Sequence, residues 1–237
     1  EQHTAVAALL KFYQELARFQ KSIYEKLATA PDHSLSVLLP YIPQLIGFVK
    51  KSGTPVLAQA ADRLSADSQE SWLELLGHVW QPKGAVQLTA EQAFFAQALL
   101  QPYAEYLASK AAPAAGPEQA LCPFCGSRPQ VAVLRPEGDG GRRSLMCSLC
   151  STEWAFRRVA CPSCGEENKD HLPVFIAKEF DYVRVDACDT CHTYIKSIDM
   201  TKNGRAVPMV DELATVSLNL WATENKYEKL SPNLFGV

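Results

Sequence analysis

Residues 122–191 read CPFCGSRPQVAVLRPEGDGGRRSLMCSLCSTEWAFRRVACPSCGEENKDHLPVFIAKEFDYVRVDACDTC, and these 70 positions hold all eight cysteines of the 237-residue chain. They fall in four C-x-x-C pairs: Cys122/Cys125, Cys147/Cys150, Cys161/Cys164 and Cys188/Cys191. A two-residue gap lets both thiolates of a pair face one ion from a tight knuckle. Two knuckles together supply the four-sulfur tetrahedron that zinc or iron takes. Eight sulfurs with none left over predict two closed metal sites.

The order of the pairs says which belong together. Cys122-Pro-Phe-Cys-Gly126 recurs as Cys161-Pro-Ser-Cys-Gly165, and each is followed by a long insert and a plainer pair. The inserts, 126–146 and 165–187, are 21 and 23 residues long, room for two short strands and a turn. In the first, Val131 to Arg135 reads as a strand, Glu137 to Gly141 as the turn and Arg143 to Met146 as the return strand. Glu153 to Arg158 is its third strand. Pro173 to Ala177, a turn near Lys178 to Phe180, Tyr182 to Asp186 and Tyr194 to Asp199 repeat that layout. These are two consecutive four-cysteine ribbons, rubredoxin-like or zinc ribbons, with Cys122/Cys125 beside Cys147/Cys150 and Cys161/Cys164 beside Cys188/Cys191. Pairing the middle knuckles across the 10-residue link 151–160 is the weaker alternative, since the outer knuckles would then meet only at long range. Gly126 and Gly165 suit knuckle turns that need a positive φ.

Two other uses of C-x-x-C fit less well. A thioredoxin-like dithiol needs the motif to open a helix in a βαβ setting, which is not seen here. Disulfides are disfavoured by adjacent pairs in a chain without a secretory signal, which points to metal in a reducing, intracellular compartment. No apolar run approaches the roughly 20 residues of a membrane span. The ribbon part is too thin to bury a large core and should depend on its metals. The sequence opens at Glu1 rather than a methionine, which leaves room for residues upstream.

Residues 1–110 contain no cysteine and read as helices. Leu9, Phe12, Leu16, Phe19, Ile23 and Leu27 recur at three- and four-residue steps, one long amphipathic helix closed off by Pro31. Thr54-Pro55 caps and opens a helix through about Leu64. Trp72, Leu75, Leu76, Val79 and Trp80 mark another, ended by Pro82. Thr89 with Gln92 forms a capping box for a helix carrying Phe94, Phe95 and Leu99, which Pro102 should kink or break before Tyr103 and Tyr106. These aromatics read as a bundle core rather than a cofactor box. Ala111 to Pro117 reads as a linker. Val210 to Tyr227 reads as a final helix packed on the ribbons or the bundle, and Pro232 to Gly236 as an extended tail.

The search for catalytic residues returns none. His3, His33, His78, His171 and His192 are scattered, and no H-E-x-x-H, Walker loop or G-x-S-x-G occurs. His192 follows a ligand cysteine, but four thiolates complete that site and it reads as a strand surface residue. A closed four-cysteine site has no position for substrate. Nucleic acid is disfavoured because residues 117–208 carry 12 Lys/Arg against 12 Asp/Glu, without the net positive field that phosphate contact needs. Arginines 128, 135, 142, 143, 157 and 158 do gather in the first ribbon, whereas the second is acidic.

The double ribbon, with Cys-His-Thr-Tyr-Ile-Lys196 after the last knuckle, Asp211-Glu-Leu-Ala214 and Pro232-Asn-Leu-Phe-Gly236, resembles the FdhE family of formate dehydrogenase accessory proteins. The likeness runs from about Leu121 to Lys196, continues through those later motifs, and is looser over the helices. It implies that all eight cysteines hold two metal ions, iron or zinc. It also implies that the chain is not itself an enzyme. It would bind the formate dehydrogenase catalytic subunit in the cytoplasm before export; our expectation is that the helical domain and a ribbon face together form the docking surface. Family members carry a further stretch N-terminal to the helices. A rubredoxin-like electron-transfer protein is the alternative, because C-P-x-C-G is also a rubredoxin knuckle, and self-association stays open. The expected fold is α+β: a helical domain at 1–112, ribbons at 118–158 and 159–208, and a C-terminal helix and tail at 209–237.

Overall fold

The computed structural model of the chain describes residues 2–82, 87–111, 119–138 and 140–236, so residues 112–117 of the expected linker and Asp139 of the first turn lie outside the described residues. Contacts divide the chain into two compact units, one of Lys11–Ala111 with Leu234–Gly236, the other of residues 2–10 and 119–233.

The first unit is helical. It holds most of α1 (Gln2–Leu27), a 3-10 segment (Leu35–Tyr41), α2 (Ile42–Ser52), α3 (Pro55–Leu64), α4 (Gln69–Trp80) and α5 (Ala90–Lys110). The starts follow local chemistry. The Thr54 hydroxyl accepts from the Leu57 N–H at 3.3 Å, Ser68 caps Ser71 at 3.2 Å, and Thr89 and Gln92 close both halves of the capping box. The apolar stripe buries Leu16, Ile23 and Leu27 against a core that includes Leu45, Leu76, Phe95 and Leu99. Each such side chain contributes about 1.5–3 kcal/mol by leaving water.

Two expectations here are corrected. Pro102 neither ends nor divides α5, which runs on to Lys110. A proline cannot donate to the carbonyl four residues back, so Ala98 loses its helical partner. The Gln20 side chain supplies one instead, donating to the Ala98 oxygen at 3.0 Å. The tail is not simply extended: it turns at Leu234 and Phe235 and is left-handed at Gly236 (φ 78°), with Leu234 buried and the Phe235 ring packed on Phe12, Tyr13 and Phe94.

The second unit is built on one sheet. Its strands are β1 (Pro129–Glu137), β2 (Gly140–Cys147), β3 (Glu153–Ala155), β4 (Val174–Ile176), β5 (Val183–Ala187), β6 (Thr193–Asp199) and β7 (Glu228–Lys229). The order β3-β2-β1-β6-β5-β4 contains both ribbons, each an antiparallel hairpin with its third strand on the return arm. They are joined by a parallel pairing, Val131–Leu134 of β1 alongside Lys196–Asp199 of β6. Short β7 extends the same edge of β6 at Thr193 and Tyr194.

One sheet face carries Val131, Val183, Val185, Tyr194 and Ile198, packed with Leu218 and Ala222. The expected single C-terminal helix is two, α6 (Pro208–Ala214) and α7 (Val216–Glu224), divided at Thr215, whose φ of −105° and ψ of 37° leave helical geometry. The first ribbon's third strand is shorter than expected and ends at Ala155. Trp154, Phe156, Tyr194 and Ile195 are all buried, and the Trp154 indole donates to the Gln119 carbonyl at 2.8 Å. Among the described residues no helix is long and apolar enough to cross a membrane.

Candidate metal centres

All four knuckles share one backbone design. The N–H of the leading cysteine donates five residues ahead, Cys122 to Ser127, Cys147 to Thr152, Cys161 to Glu166 and Cys188 to Thr193, at 2.8–2.9 Å. The residue after the second cysteine is left-handed: Gly126 at φ 73°, Ser151 at 53°, Gly165 at 81° and His192 at 55°. The glycines meet the sequence expectation. Ser151 and His192 adopt the same turn although a side chain there is costly. His192 is thus an exposed turn residue before β6, not a strand residue.

The hairpins bring the knuckles together in the expected pairs. The sulfurs of Cys122, Cys125, Cys147 and Cys150 lie within 4.8 Å of one another, as do those of Cys161, Cys164, Cys188 and Cys191. Closest separations are 3.4–3.6 Å in the first group and 3.7 Å in the second. Zn–S bonds of about 2.3 Å in a tetrahedron require sulfurs about 3.8 Å apart, so both groups fit a four-thiolate ion. Backbone N–H groups of Leu149 and Ser163 point at the sulfurs of Cys147 and Cys161, both at 3.3 Å, which favours thiolate.

Four thiols this close do not ionise together without a cation. Hydrogen bonds from Cys122, then Cys147 and Cys150, drive Cys125 far below the usual thiol range. Contacts with Cys122 and Cys125 push Cys147 and Cys150 well above it. In the second group burial raises Cys188 to about 12, while Cys191, raised by burial, is brought down to about 6 by Thr193. A dication is the natural partner of such a set, and binding it releases protons. The groups differ in exposure: three sulfur residues of the first are buried, whereas Cys164 of the second is exposed.

Sequence reasoning missed a buried polar cluster behind β6. Lys196 and Glu212 are both fully buried and pair at 3.0 Å, and Lys229 reaches the same Glu212 oxygen. Gln130 and Asn233 donate to the other oxygen at 3.2 and 3.0 Å. Lys196 also donates to the Thr215 carbonyl at 3.3 Å, at the break between α6 and α7. The signal was present: Lys196, Glu212 and Asn233 sit in the three motifs singled out after the last knuckle.

Family models described as "FdhE, central domain" and "FdhE, C-terminal domain" match residues 121–158 and 145–235. "Protein FdhE homolog" of Aquifex aeolicus is 32% identical over 207 residues, 86% of this chain and 72% of that protein. "Protein FdhE" of Escherichia coli is 29% identical over 185 residues, 76% of this chain and 59% of that protein, so the chain spans under two thirds of its length. The "Protein FdhE homolog" of Shewanella oneidensis is 38% identical over 102 residues, 43% of this chain and 33% of that protein. The crystal structure of the FdhE protein from Pseudomonas aeruginosa superposes with a TM-score of 0.73 at 22% identity, covering 98% of this chain and 94% of that one, a likeness of fold.

Proposed function

The chain belongs to the FdhE family, and from that premise we propose that it is an accessory factor required for formate dehydrogenase activity, binding the enzyme's catalytic subunit in the cytoplasm before export. The observation that carries this reading is the pair of closed four-cysteine clusters. Four thiolates saturate a tetrahedral ion and leave no position for substrate, so the metals serve to hold a binding surface in shape. All eight cysteines are assigned as ligands, four to each ion. The test is capture of the formate dehydrogenase catalytic subunit from extract by the tagged chain, together with restored enzyme activity in a strain lacking its own copy. Failure of both refutes the reading.

A rubredoxin-like electron-transfer role is the second reading, supported by the exposed Cys164 in a C-P-x-C-G knuckle. Elemental analysis with an absorption spectrum after anaerobic purification separates the two. A colourless zinc protein removes electron transfer, and a red iron protein keeps it.

A further inference from the structure

The two ribbons repeat one unit, but among the described residues only one has its outer edge covered. Counting from the knuckles aligns them: Ala132 pairs with Leu145, two residues before Cys147, and Val174 pairs with Asp186, two before Cys188. Val174, Phe175 and Ile176 of β4 are therefore the counterparts of Ala132, Val133 and Leu134 of β1. Those β1 residues are covered by Ser197, Ile198 and Asp199 of β6, running parallel, and are at most 2% exposed. By contrast β4 ends the sheet among the described residues, with Val174 50% and Ile176 53% exposed. An open strand edge is a template for another strand, and the counterpart edge in the first ribbon is covered by a parallel one.

The chemistry beside the edge narrows the occupant. Val174 and Ile176 face the same side as their partners Asp186 and Arg184. Val174, Arg184 and Asp186 line a cleft of about 260 Å³, with Val159 and Leu172 in its apolar wall. Its charged side chains are Arg143, Arg158, Lys169 and Arg184 against Asp186, and Cys161 and Cys188 of the second cluster also line it. Arg143 is 4% exposed, it and Arg184 pair through their guanidinium ends with Asp186 at 3.4 and 3.5 Å, and among the described residues the buried Nε–H groups of both arginines and the Oδ1 of Asp186 have no hydrogen-bond partner. Two unpartnered donors beside one unpartnered acceptor leave a donor in excess. A second copy of the chain is poorly suited. Trp154 pairs with Leu145 as Ile195 pairs with Asp186, so residues 155–158 correspond to Lys196–Asp199, the segment that covers β1. Only Ala155 of that stretch is strand, and it brings exposed Arg157 and Arg158, of the same charge as the cleft.

We propose that the β4 edge and its cleft bind an extended acidic segment of a partner protein, added as a parallel strand with a carboxylate directed at Arg158, Lys169 and Arg184. This rests on the reading of the chain as a partner-binding accessory factor. The probe is a fluorescein-labelled decapeptide of alternating valine and glutamate, titrated by anisotropy against the full metal-loaded chain. It should bind at least tenfold tighter than the valine–lysine counterpart. Ile176→Asp, and separately the pair Arg158→Glu and Lys169→Glu, should each weaken it at least tenfold with bound metal and circular dichroism unchanged. Equal binding of the two peptides, or binding unchanged in both variants, overturns the proposal. Displacement by inorganic phosphate with Ile176→Asp silent overturns it as a small-anion site only. A dimer in sedimentation that Ile176→Asp dissolves overturns it in favour of a second copy. Restoration of formate dehydrogenase activity is read separately: a chain that binds the acidic peptide but restores none refutes the maturation reading and leaves the peptide surface standing.

Discussion

Glu212 is fully buried between Lys196 and Lys229, with Gln130 and Asn233 on its second oxygen. Burial alone would raise its pKa, but the two lysines outweigh it and hold the carboxyl below its usual value. Removing one member of a buried ion pair strands the other, at about 3–5 kcal/mol. Glu212→Gln should lower stability by about that amount at neutral pH. A depressed folded pKa means that the contribution is present above the unfolded value, about 4.3, and is lost as pH falls through the lower folded one. The gap between parent and variant in urea unfolding should therefore hold at neutral pH and close only below about 4.3. Comparing the two proteins cancels any acid loss of metal common to both, and a gap that ignored pH would assign the effect to shape instead. Trp154 is a simpler case. It is 9% exposed and hydrogen-bonded to Gln119, so Trp154→Ala should cost about 3–5 kcal/mol as a packing change. A fully stable variant would count against packing.

At the scale of elements, the knuckles predict metal stoichiometry. Each ribbon draws its four sulfurs from its own hairpin, so Cys125→Ser should lower bound metal from two ions toward one, measured by elemental analysis. Equal loss at both sites in a folded protein would refute separate ligand sets. The knuckles, hairpins and capped helices were legible because short-range chemistry sets them: C-x-x-C spacing, Thr89 with Gln92, Thr54 before Pro55. What escaped reading depends on partners distant in sequence. Pro102 read as a kink or break, and the helix runs on unbroken because compensation comes from Gln20, 78 residues away from the Ala98 carbonyl it serves. Gln20→Leu should therefore leave that carbonyl unpaired and cost about 1–3 kcal/mol, and much less in a Pro102→Ala background, where the backbone N–H returns. Equal costs in the two backgrounds would show that Gln20 acts elsewhere. The same limit hid the break at Thr215, whose side chain and carbonyl answer to Lys196.

At the scale of the whole molecule, the repeat predicted two ribbons but not their fusion, since a parallel pairing between copies leaves no mark in local pattern. Val131–Leu134 of β1 rest on Lys196–Asp199 of β6, and β6 is held in turn by the hairpin that carries Cys188. The ligand sets are separate, yet their stabilities need not be. Loss of the second metal should loosen β5 and β6, because a small ribbon folds largely on metal-binding energy. That would strip the outer edge from β1, whose own hairpin carries Cys147 and positions the first cluster. Cys188→Ser should thus keep about one ion per chain, but a chelator should remove that ion at least tenfold faster than it removes the first-site metal from the parent protein. An unchanged release rate, with the variant's sheet content reduced as expected for a lost second ribbon, would show that the first ribbon holds its metal without the parallel strand.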